Sequence, residues 1–197
     1  FDNFGKLNGH AVGIIIKELV QRAIAVIRRE RMKFEVMKKE GNDGKMSDVF
    51  TSADTAAQEV YLTSLSECFP EIGVIAEESN HRSLLGTMRA RNSGIYFTVD
   101  PLDGTRAFIR KESGGVGTMI SLVCGKEVLA AAVGDVNTKE IFYYRPDSTK
   151  VHRVYPPDGG MVVCERLKIV ADRSLKEQYL LLRDNPADLS EGARRLT

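Results

Sequence analysis

Three carboxylates stand at the ends of short apolar runs. Glu77 follows Ile72 to Ala76, Asp100 follows Ile95 to Val99, and Asp103 comes three residues later, across Pro101-Leu102. Apolar runs of this length, bounded by turn residues, read as buried strands. With a tight turn at Pro101-Leu102 and the two strands as neighbours, the three acids converge at one sheet edge. Anions this close repel one another and raise each other's pKa unless a cation intervenes. Hard oxygen donors without imidazole or thiol partners select Mg²⁺, or Mn²⁺, over Zn²⁺. Metal binding is the economical interpretation of the trio.

Gly104-Thr105 follows at once, then Arg106-Ala107-Phe108-Ile109. Gly104 lets backbone approach a ligand closely. A helix starting at Thr105 leaves free N–H groups that suit a phosphate beside the metal. Carboxylate, anion site and hydroxyl in consecutive residues form an arrangement suited to phosphoryl transfer.

Each feature also has a plainer explanation. A lone glutamate at a strand end is ordinary, and an isolated Asp-Gly-Thr is a turn with a cap; together with Asp100-Pro101 they carry more. Asp54 could be an acid favoured by a helix N-terminus, although the neighbouring Asp48 and Thr51 favour function. Glu78 fits a surface or supporting role as readily as ligation. His10, His81 and His152 lie far apart and lack ligand spacing. Gly114-Gly115-x-Gly117 lacks the Lys-Ser/Thr of a nucleotide loop and reads as a flexible approach to the next strand.

Several elements must position these residues. Val12, Ile15, Ile16, Leu19, Val20, Ala23, Ile24 and Ile27 form one helical face. Arg28-Arg29-Glu30-Arg31 reads as a solvated helix end. Residues 40–47 are turn chemistry. A second helix is expected from about Thr55, where Thr55-x-x-Gln58 resembles a capping box, to just before Pro70. Residues 80–94 read as an exposed loop. Val116 to Val123, Val128 to Val136 and Ile141 to Tyr144 form a strand meander, turning at Gly125-Lys126 and Asn137-Thr138-Lys139. Two helices followed by a meander make an α+β pattern. Residues 1–145 are expected to form an N-terminal α+β domain, and 146–197 the incomplete beginning of a second α/β domain. In the latter, Met161 to Cys164 and Leu167 to Val170 read as strand, and Ser174-x-x-Glu177 as a helix cap.

Composition narrows the class. The 28 Lys and Arg nearly balance the 27 Asp and Glu, which argues against nucleic acid as the principal partner. The apolar stretch from Ala11 to Ile27 is broken by Lys17, Glu18 and Arg22, so no membrane span is expected. Three scattered cysteines, Cys68, Cys124 and Cys164, fit a reducing compartment such as the cytoplasm. The chain begins at Phe1 rather than Met, so N-terminal sequence is expected to be missing.

Phe97-Thr98-Val99-Asp100-Pro101-Leu102-Asp103-Gly104-Thr105 resembles the signature of the inositol monophosphatase superfamily, Mg²⁺-dependent and lithium-sensitive phosphatases that include bisphosphate nucleotidases and histidinol-phosphate phosphatases. Asp48-Val49-Phe50-Thr51-Ser52-Ala53-Asp54 and Ala76-Glu77-Glu78-Ser79 are similar to two further family segments, in the same order. The resemblance covers about residues 11–145. It implies a layered α/β/α/β sandwich with N-terminal helices on a largely antiparallel sheet. It implies that Glu77, Asp100 and the Leu102 carbonyl hold one Mg²⁺, and Asp100 and Asp103 a second. Gly104 and Thr105 N–H groups would hold the phosphate of a small phosphorylated metabolite, and Asp54 and Thr105 would polarise an attacking water that one metal also acidifies. A homodimer is implied as well. Phe97 stands where the family usually has Trp, and Ala76 where it has Gly. The family's later Trp-Asp-x-Ala motif, which supplies a last metal-binding aspartate, is not found. The chain therefore reads as an incomplete protein, with a degenerate relative as the alternative.

Overall fold

The computed structural model describes residues 8–39, 48–78, 94–155 and 162–168. Its first helix, α1 (Gly9–Glu30), starts where Asn8 accepts a hydrogen bond from the Ala11 N–H at 2.9 Å, a side-chain cap for an otherwise unsatisfied donor. Val12, Ile16, Leu19, Val20, Ala23, Ile24 and Ile27 are buried along one stripe, as the periodicity predicts. The basic end differs from expectation. Arg28 donates to the carbonyls of Val136 and Asn137 at 2.9 and 3.1 Å, and Arg31 to that of Glu112. These guanidiniums satisfy turn carbonyls far away in sequence rather than facing only water.

A hairpin of β1 (Val36–Lys39) and β2 (Asp48–Thr51) follows, paired antiparallel. It leads directly into α2 (Ser52–Cys68). The helix starts earlier than expected, and its capping box is Thr51 with Asp54, not Thr55 with Gln58. Thr51 Oγ1 accepts from the Ala53 N–H at 3.2 Å, while Asp54 Oδ2 accepts from the Thr51 N–H at 2.7 Å.

The remaining strands are β3 (Gly73–Ala76), β4 (Ile95–Asp103), β5 (Gly117–Cys124), β6 (Glu127–Asp135), β7 (Ile141–Tyr144), β8 (His152–Tyr155) and β9 (Val163–Arg166). They form one sheet in sequence order, with β3–β4 parallel and every other pair antiparallel. The architecture is α+β. Strand β4 does not stop at Asp100. It runs through Pro101 to Asp103, with a register shift against β5 between Asp100 and Asp103. Such an irregularity re-aims side chains within a strand, and replaces the expected turn. The short helix α3 (Thr105–Ile109) comes next.

Helix α1 lies across β5, β6 and β7, and α2 lies against α1 and β4. Their packing is close at Gly134 on β6, where an added Cβ would sit 2.5 Å from Val20 Cγ1 and 2.7 Å from Ile24 Cδ1. Tyr61, Leu65, Phe97, Leu102, Phe108, Ile120 and Leu122 are core residues. Phe97, at the position of the family's Trp, tilts against Phe69 with ring centroids 5.1 Å apart.

Strands β8 and β9 extend the same sheet past residue 146. Val154 is buried, while Arg153 pairs with Glu140 and Glu165. The compact unit ends at Leu167. Leu167 and Lys168 are not strand; the expected strand at 169–170, the cap at Ser174 and the loops at 40–47 and 80–93 lie outside the described residues. No helix among the described residues is long and apolar enough to cross a membrane.

Candidate active site

Parallel pairing of β3 with β4 sets Ala76 opposite Val99, and the Glu77 N–H continues the ladder to the Val99 carbonyl at 3.1 Å. The next residues on the two strands are Glu77 and Asp100. The nearness of Glu77, just past the end of β3, to Asp100, within β4, is therefore a matter of register. Burial pushes the Asp100 carboxyl up to about 7, followed by the charge of Glu77, a hydrogen bond between the Glu77 and Asp100 side chains, and the charge of Asp103. Two carboxyls share a hydrogen bond only when one of them keeps its proton. Asp100 Oδ1 is buried and has no hydrogen-bond partner among the described residues.

The β4–α3 junction brings the other predicted residues close. Gly104 has φ 79° and ψ 36°, a left-handed conformation, which glycine adopts without steric cost. An added Cβ there would lie 1.9 Å from the Gly115 carbonyl oxygen. Gly104 is thus fixed by the loop packed on it, and Gly115 acts as a wall of the junction. The turn that follows is secured by Phe108, buried against Phe34 at 5.0 Å between ring centroids. Thr105, in the first turn of α3, donates its hydroxyl to Asp54 Oδ1 at 3.1 Å or to the Leu102 carbonyl at 3.2 Å. With one hydrogen and two acceptors, one acceptor is always free for another donor or a cation.

Asp54 is fully buried. Desolvation raises its pKa, against hydrogen bonds from Thr51 and Thr105 that lower it. Its two oxygens serve different ends: Oδ2 takes the Thr51 N–H and hydroxyl, and Oδ1 faces Thr105. The plain reading of Asp54 as a helix-start acid is met by Oδ2, while Oδ1 is turned to the Thr105 hydroxyl.

Gln58, which the sequence assigned to a helix cap, and Tyr61 and Thr118, which it did not single out for the site, also reach it. Gln58 Nε2 donates to the Glu78 carbonyl at 2.7 Å, and the Glu78 N–H donates to Gln58 Oε1 at 3.0 Å. Tyr61 and Thr118 share a hydrogen bond of 2.8 Å, and Thr118 Oγ1 lies 3.5 Å from the Asp100 carbonyl oxygen. A polar residue on the apolar face of α2 was the available signal. Among the described residues, no three His, Cys, Asp or Glu side chains are gathered into a complete metal-ligand set as they stand. A pocket of about 340 Å³ lies elsewhere, lined by Gln21, Ile24, Arg28, Lys139, Ile141 and Val154, and contains none of these residues.

The sequence profile of the inositol monophosphatase family matches residues 10–180. The chain belongs to this family. It is 37% identical over 73 residues to a 3′(2′),5′-bisphosphate nucleotidase CysQ of Buchnera aphidicola, a match covering 37% of this chain and 26% of that protein. It is 31% identical over 65 residues to the Nus factor SuhB of Escherichia coli K12, covering 33% of this chain and 22% of that protein. The fold is that of suhB from Bartonella henselae, with a TM-score of 0.61, 22% identity, and coverage of 84% of this chain and 57% of the other. An IMPase of Thermotoga maritima gives a TM-score of 0.57 at 17% identity, covering 83% and 56%. The matched region thus spans little more than half of the solved relatives and about a quarter of the curated ones.

Proposed function

We propose that the protein hydrolyses a small phosphomonoester with Mg²⁺, or Mn²⁺, as cofactor. The observation that carries this is the register that sets Glu77, just past the end of β3, beside Asp100 within β4, together with the buried Asp100 Oδ1, which has no hydrogen-bond partner among the described residues. The donor chemistry fits a hard cation: the groups are carboxylates and a carbonyl, and an ion would relieve the repulsion now borne by Asp100. Glu77, Asp100 and the Leu102 carbonyl are the groups that would hold one ion, and Asp100 with Asp103 a second. When bound, the metal supplies Lewis-acid charge neutralisation and a nucleophile at neutral pH.

The chain's own residues do the rest. Asp54, held by Thr51, keeps one oxygen turned to Thr105, and the pair orients and accepts a proton from the attacking water. Gly104 and Thr105 offer backbone N–H groups to the substrate phosphate. The left-handed Gly104 sets the direction from which α3 departs. Family membership supports this reading.

A 3′(2′),5′-bisphosphate nucleotidase activity is a second reading, favoured by the match to CysQ. Histidinol phosphate is a third substrate class within the same superfamily. The similarity to SuhB, described as a Nus factor, supports a non-catalytic alternative in which metal or phosphate binding persists without turnover. Inositol 1-phosphate, 3′-phosphoadenosine 5′-phosphate and histidinol phosphate, each assayed for phosphate release with Mg²⁺ and with EDTA, separate these readings. Release from none of them defeats the enzyme assignment; saturable metal binding in the same preparation would then leave the binding alternative. A homodimer and a cytoplasmic location belong to the same proposal, testable by light scattering and by fractionation.

A further inference from the structure

Asp54, Gln58 and Tyr61 occupy positions i, i+4 and i+7 of α2, and all three are fully buried. That spacing is one helical face. The face packs on the core beside Ala57 and Leu65, where apolar side chains would avoid the cost of desolvating polar groups. Each of the three instead has a partner, and each partner adjoins a different part of the candidate site. Asp54 reaches Thr105, just after Asp103. Gln58 closes a two-bond clamp on the Glu78 backbone, next to Glu77. Tyr61 reaches Thr118, whose hydroxyl faces the Asp100 carbonyl.

We propose that α2 is the rack of the metal site, and that Gln58 and Tyr61 are positioning residues that hold the backbones of Glu77 and Asp100 at the spacing a divalent cation needs. The inference rests on the metal-dependent reading above. A backbone clamp suits this purpose because Glu77 lies one residue beyond the end of β3, where few ladder bonds fix the chain. Gln58 supplies both a donor and an acceptor at that point. Tyr61 acts through one intermediary: it shares a hydrogen bond with Thr118 Oγ1, and when Tyr61 is the donor the Thr118 hydrogen is left for the Asp100 carbonyl.

The test is stabilisation of the purified protein against heat by Mg²⁺ or Mn²⁺, titrated to half-saturation for wild type, Gln58→Met and Leu65→Ala. Methionine keeps the length of Gln58 and removes both hydrogen bonds. Removing an outer partner of a metal ligand typically costs about 10–100-fold in metal affinity, and a rise of that order is expected for Gln58→Met. Leu65→Ala, on the same helix, lowers the melting temperature of the metal-free protein and leaves the half-saturation unchanged. A folded Gln58→Met with the wild-type half-saturation overturns the proposal. Should that variant not fold, Tyr61→Phe, which deletes a single oxygen, decides: a raised half-saturation supports the rack and an unchanged one overturns it. A wild-type protein whose melting responds to neither ion defeats the underlying metal reading instead, so the two failures are distinct.

Discussion

The hydroxyl of Thr105 and Oδ1 of Asp54 stand 3.1 Å apart, joining the first turn of α3 to the first turn of α2. Deleting that hydroxyl while keeping the shape of the side chain isolates its chemical part. Thr105→Val is expected to lower the rate of phosphate release by about 10²–10⁴-fold, the usual span for general acid–base groups, with little change in melting temperature. Thr105→Ser should restore most of the rate. Comparable activity in the valine and serine variants would rule out the hydroxyl as a participant.

Thr51 tests the structural half of the same cluster. It caps α2 through Ala53 and donates its hydroxyl to Asp54. Loss of an N-cap side chain costs about 0.5–2 kcal/mol, so Thr51→Ala should lower the unfolding free energy by that amount in urea titrations. The hydroxyl also helps hold Asp54 as a carboxylate, and activity should fall further than stability alone explains. An unchanged denaturation midpoint would show that Asp54 alone secures the helix start.

Burial first, and the neighbouring acids second, penalise the charged form of Asp100, and the penalty has a sign that pH reveals. Its pKa is raised to about 7 in the folded protein, against about 4 for an ordinary aspartate. Between those values the folded form keeps a proton that the unfolded chain has released. Stability from this group is fully present at low pH and is lost as pH rises through the folded value. Metal-free wild-type protein should therefore lose more stability between pH 5 and about pH 8 than Asp100→Asn, which cannot ionise. The variant should also melt higher than wild type in EDTA near pH 8 and gain less from Mg²⁺. Parallel pH profiles for the two proteins would remove the carboxylate pair as the source.

How much of this was legible in the sequence depends on whether the cause was local. The stripe from Val12 to Ile27 has the helical period, and α1 follows it. Apolar runs marked both strands, but their parallel register was not legible, and β4 continues past Asp100 to Asp103. Thr55-x-x-Gln58 matched a capping pattern, but the chain enters α2 from β2, so Thr51 and Asp54 meet the cap first. Gln58 was thereby freed for Glu78, a partner twenty residues away that no local pattern names. Pro101 read as a turn; it lies within β4 at the register shift, where a missing N–H is tolerated. The hairpin strand Val36-Met37-Lys38-Lys39 has no clear alternation, and β8 is four residues long. Both are held by cross-strand partners, Arg153 with Glu140 and Glu165 for β8, and such pairs become visible only once register is known.

Two glycines with similar backbone angles separate conformation from contact. Gly104 and Gly125 have φ of 79° and 59°, both in the left-handed region that costs an L-residue about 1–2 kcal/mol. At Gly125 an added Cβ meets nothing within 4 Å among the described residues; at Gly104 it would fall 1.9 Å from the Gly115 carbonyl oxygen. Gly125→Asn, a residue that tolerates this region, should cost no more than about 1 kcal/mol and leave activity intact. Gly104→Ala must either displace the Gly115 strand approach or swing α3 away from Asp54. It is expected to lower stability by more than about 2 kcal/mol and to abolish phosphate release, because the Thr105 hydroxyl and N–H move with the helix start. Chemical denaturation and activity measured on the same two variants make the comparison, and equal effects at the two positions would mean that Gly104 matters only for its backbone angle.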